Sequence, residues 1–274
     1  MTPTLVLQFA SKTDTGLVRA HNEDAIEINA DYKIAVLADG MGGYNAGEVA
    51  SGIAANVFTV TLEQRLQQRA EKRRPLGSKF LQGLMSESVS LANTQILEAA
   101  RQQPQFSGMG TTLVAALFHH DRIVLAHIGD SRAYRFRQGA LLQLTRDHSQ
   151  LQEQIDAGLV SPEWARFAPN KNLITRALGV ASSVDVDTDV HLMEPDDIYL
   201  LCSDGLSDML SNEQMIALIK RNYSDLDLLC IALVDAANNN GGRDNISVIL
   251  IKVQSSHVIK NSFRTRLTSW FRRS

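Results

Sequence analysis

The sequence of 274 residues predicts an α+β fold in which antiparallel sheets carry pairs of helices on their outer faces. Short apolar stretches end at clusters of Asp, Gly and Asn, as strands do where they meet turns. Successive strands follow one another with few helices between them, which favours antiparallel pairing. Four other segments repeat apolar residues at the helical period.

The predicted strands are short and mostly apolar, and the predicted helices lie between groups of them. The strands cover Thr4–Ala10, Ala25–Ile28, Lys33–Ala38, Thr111–Phe118, Arg122–Ile128, Ala133–Arg137, Ile198–Cys202 and Ile246–Val253. The helices cover Glu48–Gln68, Phe80–Arg101, Asn212–Arg221 and Asp225–Ala237. We expect Asn212 to cap the third helix and Ser224 or Asp225 to cap the fourth, because their side chains can accept from free backbone N–H groups.

The composition excludes several classes of protein. The chain is 44% hydrophobic and 21% charged, which is typical of globular proteins. It has no apolar run of the ~18–20 residues that span a bilayer, and its start, MTPTLVLQFASK, lacks the basic region of a signal peptide. Cys202 and Cys230 are too far apart to indicate a zinc knuckle or a disulfide framework. We therefore expect a soluble, reduced, cytoplasmic protein.

The net charge of −3 is unevenly distributed. Residues 255–274 hold five of the 27 basic residues and no acid, which leaves 22 basic and 30 acidic residues in positions 1–254. A body of net charge −8 disfavours nucleic-acid binding. If the 255–274 tail is helical, Ile259, Phe263, Leu267 and Trp270 share a face, which suits weak contact with an anionic membrane or an acidic partner. A disordered terminus, or a helix packed on the body, is the alternative that we favour.

Four segments place an Asp beside Gly or another small residue at the end of a predicted strand. They are AVLADGMGG (35–43), LAHIGDSRA (125–133), YLLCSDGLSD (199–208) and NNGGRDNISVIL (239–250). Carboxylates gathered at neighbouring strand ends repel one another unless cations lie between them. Mg²⁺ and Mn²⁺ prefer such oxygen ligands, and two of them together can bind phosphate and activate water for in-line displacement.

Any one of these Asp residues could simply cap a helix or form a turn. Four such segments together with RAHNED (19–24) disfavour the interpretation that all of these acids are only helix caps or turn residues. Arg19 in that motif also supplies the planar pair of donors that a phosphoryl group would need.

Eight motifs in one order resemble those of the PPM family (type 2C) of metal-dependent protein serine/threonine phosphatases, in its compact bacterial form. They are RAHNED (19–24), ADGMGG (38–43), GMGTT (108–112), GDSR (129–132), LTRDHS (144–149), ITRALG (174–179), CSDGL (202–206) and GGRDN (241–245). The resemblance implies a four-layer α-β-β-α sandwich, with two central, mainly antiparallel sheets flanked by helix pairs. It also implies that residues 1–254 form one catalytic domain, with a flap at about 150–173, and that the 255–274 tail lies outside it.

The resemblance also implies a role for each acid. Asp39 would bridge two Mn²⁺ or Mg²⁺ ions, to which Gly40 would offer its carbonyl. Asp204 and Asp244 would complete the second metal site. Three further acids would act at the edges of the centre. Glu23 and Asp24 would hold metal-bound waters, and Asp130 would bind a third, weaker metal together with Asp204. Arg19 would bind the substrate phosphate.

The activity implied is hydrolysis of phosphoserine and phosphothreonine in proteins, by direct attack of a metal-bridging water. The expected partners are phosphorylated proteins and a serine/threonine kinase of the same bacterium, and we expect a monomer. Cys202 lacks the CxxxxxR pattern of cysteine phosphatases, and the chain has no P-loop. Two alternatives stay open: a two-metal hydrolase of small phosphate esters, and a phosphoprotein-binding regulator with little turnover.

The chain departs from the family pattern at two places. Met41 stands where many eukaryotic relatives have a His that could protonate the leaving group, which leaves the general acid unassigned. In the flap, Ala168 precedes Pro169 where bacterial relatives often have His. Two histidines within the motifs have different expected roles: His21 is a candidate for a place near the cleft, and His148 is read as a structural, hydrogen-bonding residue at a strand-to-helix junction.

Overall fold

The computed structural model describes residues 5–43, 46–73, 75–161 and 173–255. The strands in these ranges are β1 (Leu5–Asp14), β2 (Asp24–Asn29), β3 (Ile34–Met41), β4 (Gly110–Thr111), β5 (Leu113–His119), β6 (Arg122–Ile128), β7 (Arg132–Arg137), β8 (Ala140–Gln143), β9 (Asp187–Leu192), β10 (Ile198–Cys202) and β11 (Ile246–Ser255). The helices are α1 (Ala46–Glu71), α2 (Ser78–Gln102), α3 (Gln150–Asp156), α4 (Asp204–Ser207), α5 (Asn212–Arg221) and α6 (Leu226–Asn239), with a 3₁₀ turn at Pro104–Phe106.

The strands form two antiparallel sheets. One has the order β1-β11-β10-β7-β8, and the other has the order β2-β3-β5-β6-β9, with β4 paired to the end of β3. The first and last strands of the described chain are neighbours, because β1 pairs with β11 along its whole length. The N-terminal and C-terminal motifs are thereby brought to the same end of one sheet.

The two sheets pack face to face, and each is covered by helices on its other face. Leu37 and Val114 of one sheet and Tyr199 and Ile249 of the other belong to the apolar layer between the sheets. The alternate residues of β3 pack against α1 and α2, while the outer face of the β10 and β11 sheet packs against α4, α5 and α6. A strand buried on both faces reads as a continuous apolar run, which is why β3 was predictable from its sequence. The predicted sandwich is confirmed.

Several local elements differ from the sequence-based expectation. Polar β9 and the short β8 and α3 were not predicted, because half-exposed edge strands and short helices carry little apolar pattern. Ser211, one residue earlier than expected, caps α5 with its side chain, and Asp225 caps α6. The strand predicted from Thr111 is divided at Thr112 into β4 and β5, and the Thr112 side chain and N–H bind Asp39 of β3.

Two expectations fall outside the described residues. Ala168 lies in the undescribed stretch 162–172, which is nearly half of the flap, and the basic tail follows the last described strand. In the ranges that the structure covers, we find no helix with the length and apolar character needed to cross a membrane.

Candidate metal centre

The candidate site begins where β2 and β3 run side by side. Asp24 and Asp39 face each other in the antiparallel register of these strands. Beyond Asp39 the chain reaches Gly40 and Met41, which pair with β4, and it then enters α1. Two of the predicted acids are therefore held together by strand pairing alone.

The backbone of Asp39 is fixed by two threonines. Thr111 Oγ1 and the Thr112 N–H both donate to the Asp39 carbonyl, over 2.8 and 2.9 Å. The Asp39 N–H donates to Thr112 Oγ1 over 3.0 Å. The N–H and the carbonyl of Asp39 are thus both hydrogen-bonded, which holds the backbone that carries the carboxylate.

Gly40 lies where no side chain would fit. A Cβ there would stand 2.2 Å from the Gly47 carbonyl oxygen of α1 and 2.6 Å from the Glu23 carbonyl oxygen. The Gly40 N–H donates to the Glu23 carbonyl over 3.1 Å, and the Glu23 carboxylate accepts a hydrogen bond from the Gly47 backbone near the start of α1. Close approach of β3 to the helix therefore explains why position 40 is a glycine.

Asp204 lies two positions after the last residue of β10 and opens the short helix α4. The preceding residue, Ser203, is fully buried and donates from Oγ to Asp24 Oδ2 over 2.9 Å. The same hydroxyl accepts from the Ser247 N–H over 3.0 Å. Ser203 thus ties the end of β10 to β11 and to the acid on β2.

Asp244 lies just before β11 and pairs with Arg19. Arg19 Nη2 donates to Asp244 Oδ2 over 2.7 Å, while the Asn245 N–H donates to Asp244 Oδ1 over 2.9 Å. Asn245 is buried and fixes the RAHNED loop: its Nδ2 donates to the carbonyls of Thr15 and His21, and its Oδ1 accepts from the Glu23 N–H. The His21 backbone is therefore held at the site, while the residue as a whole is exposed.

Asp130 is buried in the turn between β6 and β7. It adjoins a cleft of about 570 Å³ that reaches from the acids to α3 and α5. Residues lining this cleft include Asp130, Arg132, Leu151, Ile155, Asp204 and Asp208. Arg132 is held against Asp147 by paired hydrogen bonds, so its charge is already matched.

The electrostatics of the site depend on the closeness of the acids. Burial, then the charges of Asp24, Asp204, Asp130 and Asp244, raise the pKa of Asp39 well above its usual value. Burial and the charges of neighbouring acids likewise raise the pKa of Asp204, and those of Asp24 and Asp130 rise to about 6. Charges that raise one another's pKa in this way carry the shared penalty of a like-charge cluster.

This donor set fits a hard divalent cation. The charged side chains predicted for the site are carboxylates apart from Arg19, and Arg132 beside Asp130 is already paired with Asp147. No sulfur or imidazole ligand is among the predicted residues. Oxygen ligands with surplus negative charge are what Mg²⁺ and Mn²⁺ prefer. A bound cation would reverse the repulsion that raises these pKa values.

The structure brings all eight predicted site residues to one end of the sandwich. Their individual roles as ligands or phosphate donors stay predictions. Three supporting residues were not assigned such roles from the sequence: Asn245, Ser203 and Thr112. Asn245 stood within a quoted motif, but its partners are more than 220 residues away, and no local pattern reveals a contact of that kind.

Comparisons with known proteins give one consistent result. The family model described as "Protein phosphatase 2C" matches residues 18–229. The chain is 37% identical over 244 residues to the serine/threonine phosphatase stp of Listeria welshimeri, covering 88% of this chain and 94% of that protein.

Two solved structures are similar along nearly the whole chain. The crystal structure of the Mycobacterium tuberculosis serine/threonine phosphatase PstP/Ppp has a TM-score of 0.81 and 36% identity, covering 91% of this chain and 99% of that one. The catalytic domain of the phosphatase PstP in complex with two manganese ions has a TM-score of 0.80 and 36% identity, covering 92% and 100%.

Proposed function

Because the chain belongs to the protein phosphatase 2C family of metal-dependent protein serine/threonine phosphatases, we propose that its acidic cluster is the catalytic centre for hydrolysis of phosphoserine and phosphothreonine. The observation that carries this proposal is that Asp39, Asp204 and Asp244 lie near Arg19 at one end of the sandwich. These residues come from distant parts of the chain, and folding alone gains nothing from bringing their like charges together.

We assign the cation-binding roles to this chain's oxygens. Asp39 and Gly40 would hold two cations, Asp204 and Asp244 would complete the second position, and Asp130 would hold a third. Two Mn²⁺ or Mg²⁺ ions bound there would supply Lewis-acid activation of water for direct attack on phosphorus. The relative that contains two manganese ions supports this choice of metal.

The chain's own residues would orient the substrate and the water. Arg19 can offer two parallel N–H donors to the phosphate oxygens, and its position beside Asp244 keeps it within reach of the centre. Glu23 and Asp24 would accept hydrogen bonds from waters on the first cation. The thioether of Met41 has no proton to donate, so the leaving oxygen would take its proton from solvent bound in the centre.

A phosphopeptide assay tests the proposed activity. Purified full-length chain with Mn²⁺ should release phosphate from a phosphothreonine peptide, and EDTA should stop the release. Asp39→Asn should be inactive, while Asp235→Asn, a matched change at an exposed position on α6, should behave as wild type. An intact phosphopeptide after incubation with the Mn²⁺-loaded wild type would contradict the proposal.

The same assay separates the two rival functions. A regulator with little turnover would bind the phosphopeptide without releasing phosphate, although the presence of all the predicted acids supports turnover. A hydrolase of small esters would show a higher kcat/KM for free phosphothreonine than for the peptide. We propose the protein substrate, because the cleft of about 570 Å³ beside Asp130 leaves room for residues around the phosphate.

The biological setting is also a proposal. We propose that the enzyme acts as a cytoplasmic monomer, that residues 1–254 form its catalytic domain, and that it reverses a serine/threonine kinase of the same bacterium. The 255–274 tail would make at most a weak contact with a membrane or an acidic partner. Truncation after residue 254 should leave peptide turnover unchanged and remove any binding to anionic liposomes.

A further inference from the structure

His148 lies between β8 and α3 and hydrogen-bonds to both backbone polar groups of Gly129, in the β6–β7 turn. The ring Nδ1 of His148 accepts from the Gly129 N–H over 3.2 Å, and the backbone N–H of His148 donates to the Gly129 carbonyl over 2.8 Å. The side chain is 1% exposed. Gly129 therefore has both of its backbone polar groups satisfied by a single residue that lies outside its own turn.

The hydrogen bond at Nδ1 determines where the ring carries its proton. Since Nδ1 accepts, the neutral ring is protonated at Nε2, which lies 3.2 Å from Asp187 Oδ2. Asp187 Oδ1 in turn accepts from Arg176 Nη1 over 3.2 Å. Burial lowers the pKa of His148, which agrees with a neutral ring. The result is an ordered chain of contacts from Arg176 through Asp187 and His148 to Gly129.

A second metal site is the alternative for these side chains, since potential ligand atoms of His127, His148 and Asp187 lie within 4.8 Å of one another. Arg176 argues against an ion there, because its Nη1 lies 3.4 Å from His148 Nε2 and already supplies a positive charge. His127 stacks on His148, and its Nε2 is engaged with the Arg146 carbonyl. The cluster is therefore a hydrogen-bonded support.

What this support holds is the residue before Asp130. Gly129 has φ +104°, and a Cβ there would stand 2.6 Å from the side chain of Thr112, so no other residue fits without movement. Glycine has the widest backbone freedom of any residue, so its conformation must be imposed by contacts. On the other flank of Asp130, Ser131 Oγ hydrogen-bonds to Thr112 Oγ1 over 2.7 Å. The acid is thus anchored through both neighbours.

We propose that His148 is a positioning residue for Asp130, which holds the Gly129 peptide and thereby directs the Asp130 carboxylate toward a divalent cation. This inference rests on the proposed function, which places a third, weaker cation at Asp130. It assigns the LTRDHS histidine a task in metal binding, beyond its place at a strand-to-helix junction.

Calorimetric titration of the metal-free full-length protein with Mn²⁺ tests the proposal. Asp130→Ala identifies the binding event that belongs to Asp130, because that event should disappear. His148→Leu should weaken the same event about 10- to 100-fold, as changes to residues that orient ligands do. The tighter events should keep their affinity. His148→Asn should retain most of the weak event, because its Oδ1 can occupy the place of Nδ1 and accept from Gly129.

A matched control and a double variant separate positioning from a general loss of structure. His191→Leu makes the same change on β9, away from the turn, and should leave every Mn²⁺ event unchanged. In the Asp130→Ala background, His148→Leu should cause no further loss of phosphopeptide turnover, since the residue through which it acts is gone. Additive losses in the double variant would overturn the proposal.

Other outcomes would also overturn it. These are wild-type Mn²⁺ binding by His148→Leu, equal weakening of all events, equal damage by the Asn and Leu variants, or no event lost in Asp130→Ala. Should His148→Leu fail to fold, Asp187→Ala decides: it removes the acceptor from Nε2 at a half-exposed position and should weaken the same event alone. Phosphopeptide turnover by the wild type is measured separately, so failure here leaves the phosphatase assignment intact.

Discussion

Arg19 Nη2 donates to Asp244 Oδ2 over 2.7 Å, so the residue predicted to bind phosphate is paired with a residue predicted to bind a cation. Half of the Arg19 side chain is exposed, and so is 29% of the Asp244 side chain. A pair this open to water contributes about 1 kcal/mol or less. A cation at Asp244 would compete with Arg19 for the carboxylate, and this competition would turn the guanidinium toward the phosphate.

Replacing Arg19 separates its two contacts. In Arg19→Ala, kcat/KM for a phosphothreonine peptide should fall about 10- to 100-fold, from the loss of charge-assisted hydrogen bonds of about 1.5–3 kcal/mol. Mn²⁺ affinity should stay equal or rise by at most about fivefold, because only an exposed ion pair is removed. Arg19→Lys should be intermediate, since an ammonium lacks the paired donors. Mn²⁺ binding weakened severalfold in Arg19→Ala would contradict this account.

Asp39→Asn should lower the turnover of the enzyme and raise the melting temperature of the metal-free protein. The variant should lose at least about 100-fold in turnover, because the charge that binds both cations is gone. In EDTA, however, it should melt roughly 2–6 °C higher than the wild type, since repulsion from Asp24, Asp204 and Asp130 is relieved. Thermal melting followed by circular dichroism measures this shift. A lower melting temperature in EDTA would mean that the Asp39 carboxylate is needed for the fold itself.

The metal-free protein should lose stability as pH rises. Folding raises the pKa values of Asp24 and Asp130 to about 6, chiefly by burial, and those of Asp39 and Asp204 rise further. A pKa that is raised in the folded state adds to the free energy of unfolding. This contribution is complete below about pH 4, where the same groups are also protonated in the unfolded chain, and it is lost as the pH rises through about 6. Melting in EDTA should therefore occur at a lower temperature at pH 7 than at pH 5.

Added Mn²⁺ should reverse this trend. Cations bind the ionised carboxylates, so the rise in melting temperature on adding Mn²⁺ should be larger at pH 7 than at pH 5. Scanning fluorimetry at both pH values, with EDTA or Mn²⁺, supplies the four measurements. A Mn²⁺ effect of equal size at the two pH values would argue that these acids are not the ligands.

Asn245→Ala tests how the RAHNED loop is held. The change leaves the partly buried Glu23 N–H and the carbonyls of Thr15 and His21 without their partner. The free energy of unfolding should fall by about 3 kcal/mol, since each of these three partly buried groups costs about 1 kcal/mol, the low end of the range for unsatisfied groups. Urea denaturation measures it. Asn212→Ala is the matched control: Asn212 is exposed, and Ser211 caps α5, so its effect should stay within about 0.5 kcal/mol.

Local patterns predicted the elements that are strongly apolar or strongly periodic. The run before Asp39 predicted β3, because a strand buried on both faces has no polar positions to interrupt it. β9 was not predicted, because its residues are polar and half-exposed and show no clear apolar alternation. Its pairing with β6 defines it as a strand. Ser211 caps α5 where Asn212 was predicted, because Ser and Asn are both good N-cap residues and the sequence alone does not show which of two neighbours accepts from the helix.

The acids of the site were evident in the sequence because their chemistry is local. An Asp beside a Gly at a strand end is visible within a few residues, as at Asp39 and Asp204, and eight ordered motifs indicated the family. The tertiary structure decided which groups support them. Ser203 reaches Asp24, Asn245 holds the RAHNED loop and His148 binds Gly129, through hydrogen bonds that join residues far apart in the chain. Such contacts depend on strand order and sheet packing, which no short stretch of sequence encodes.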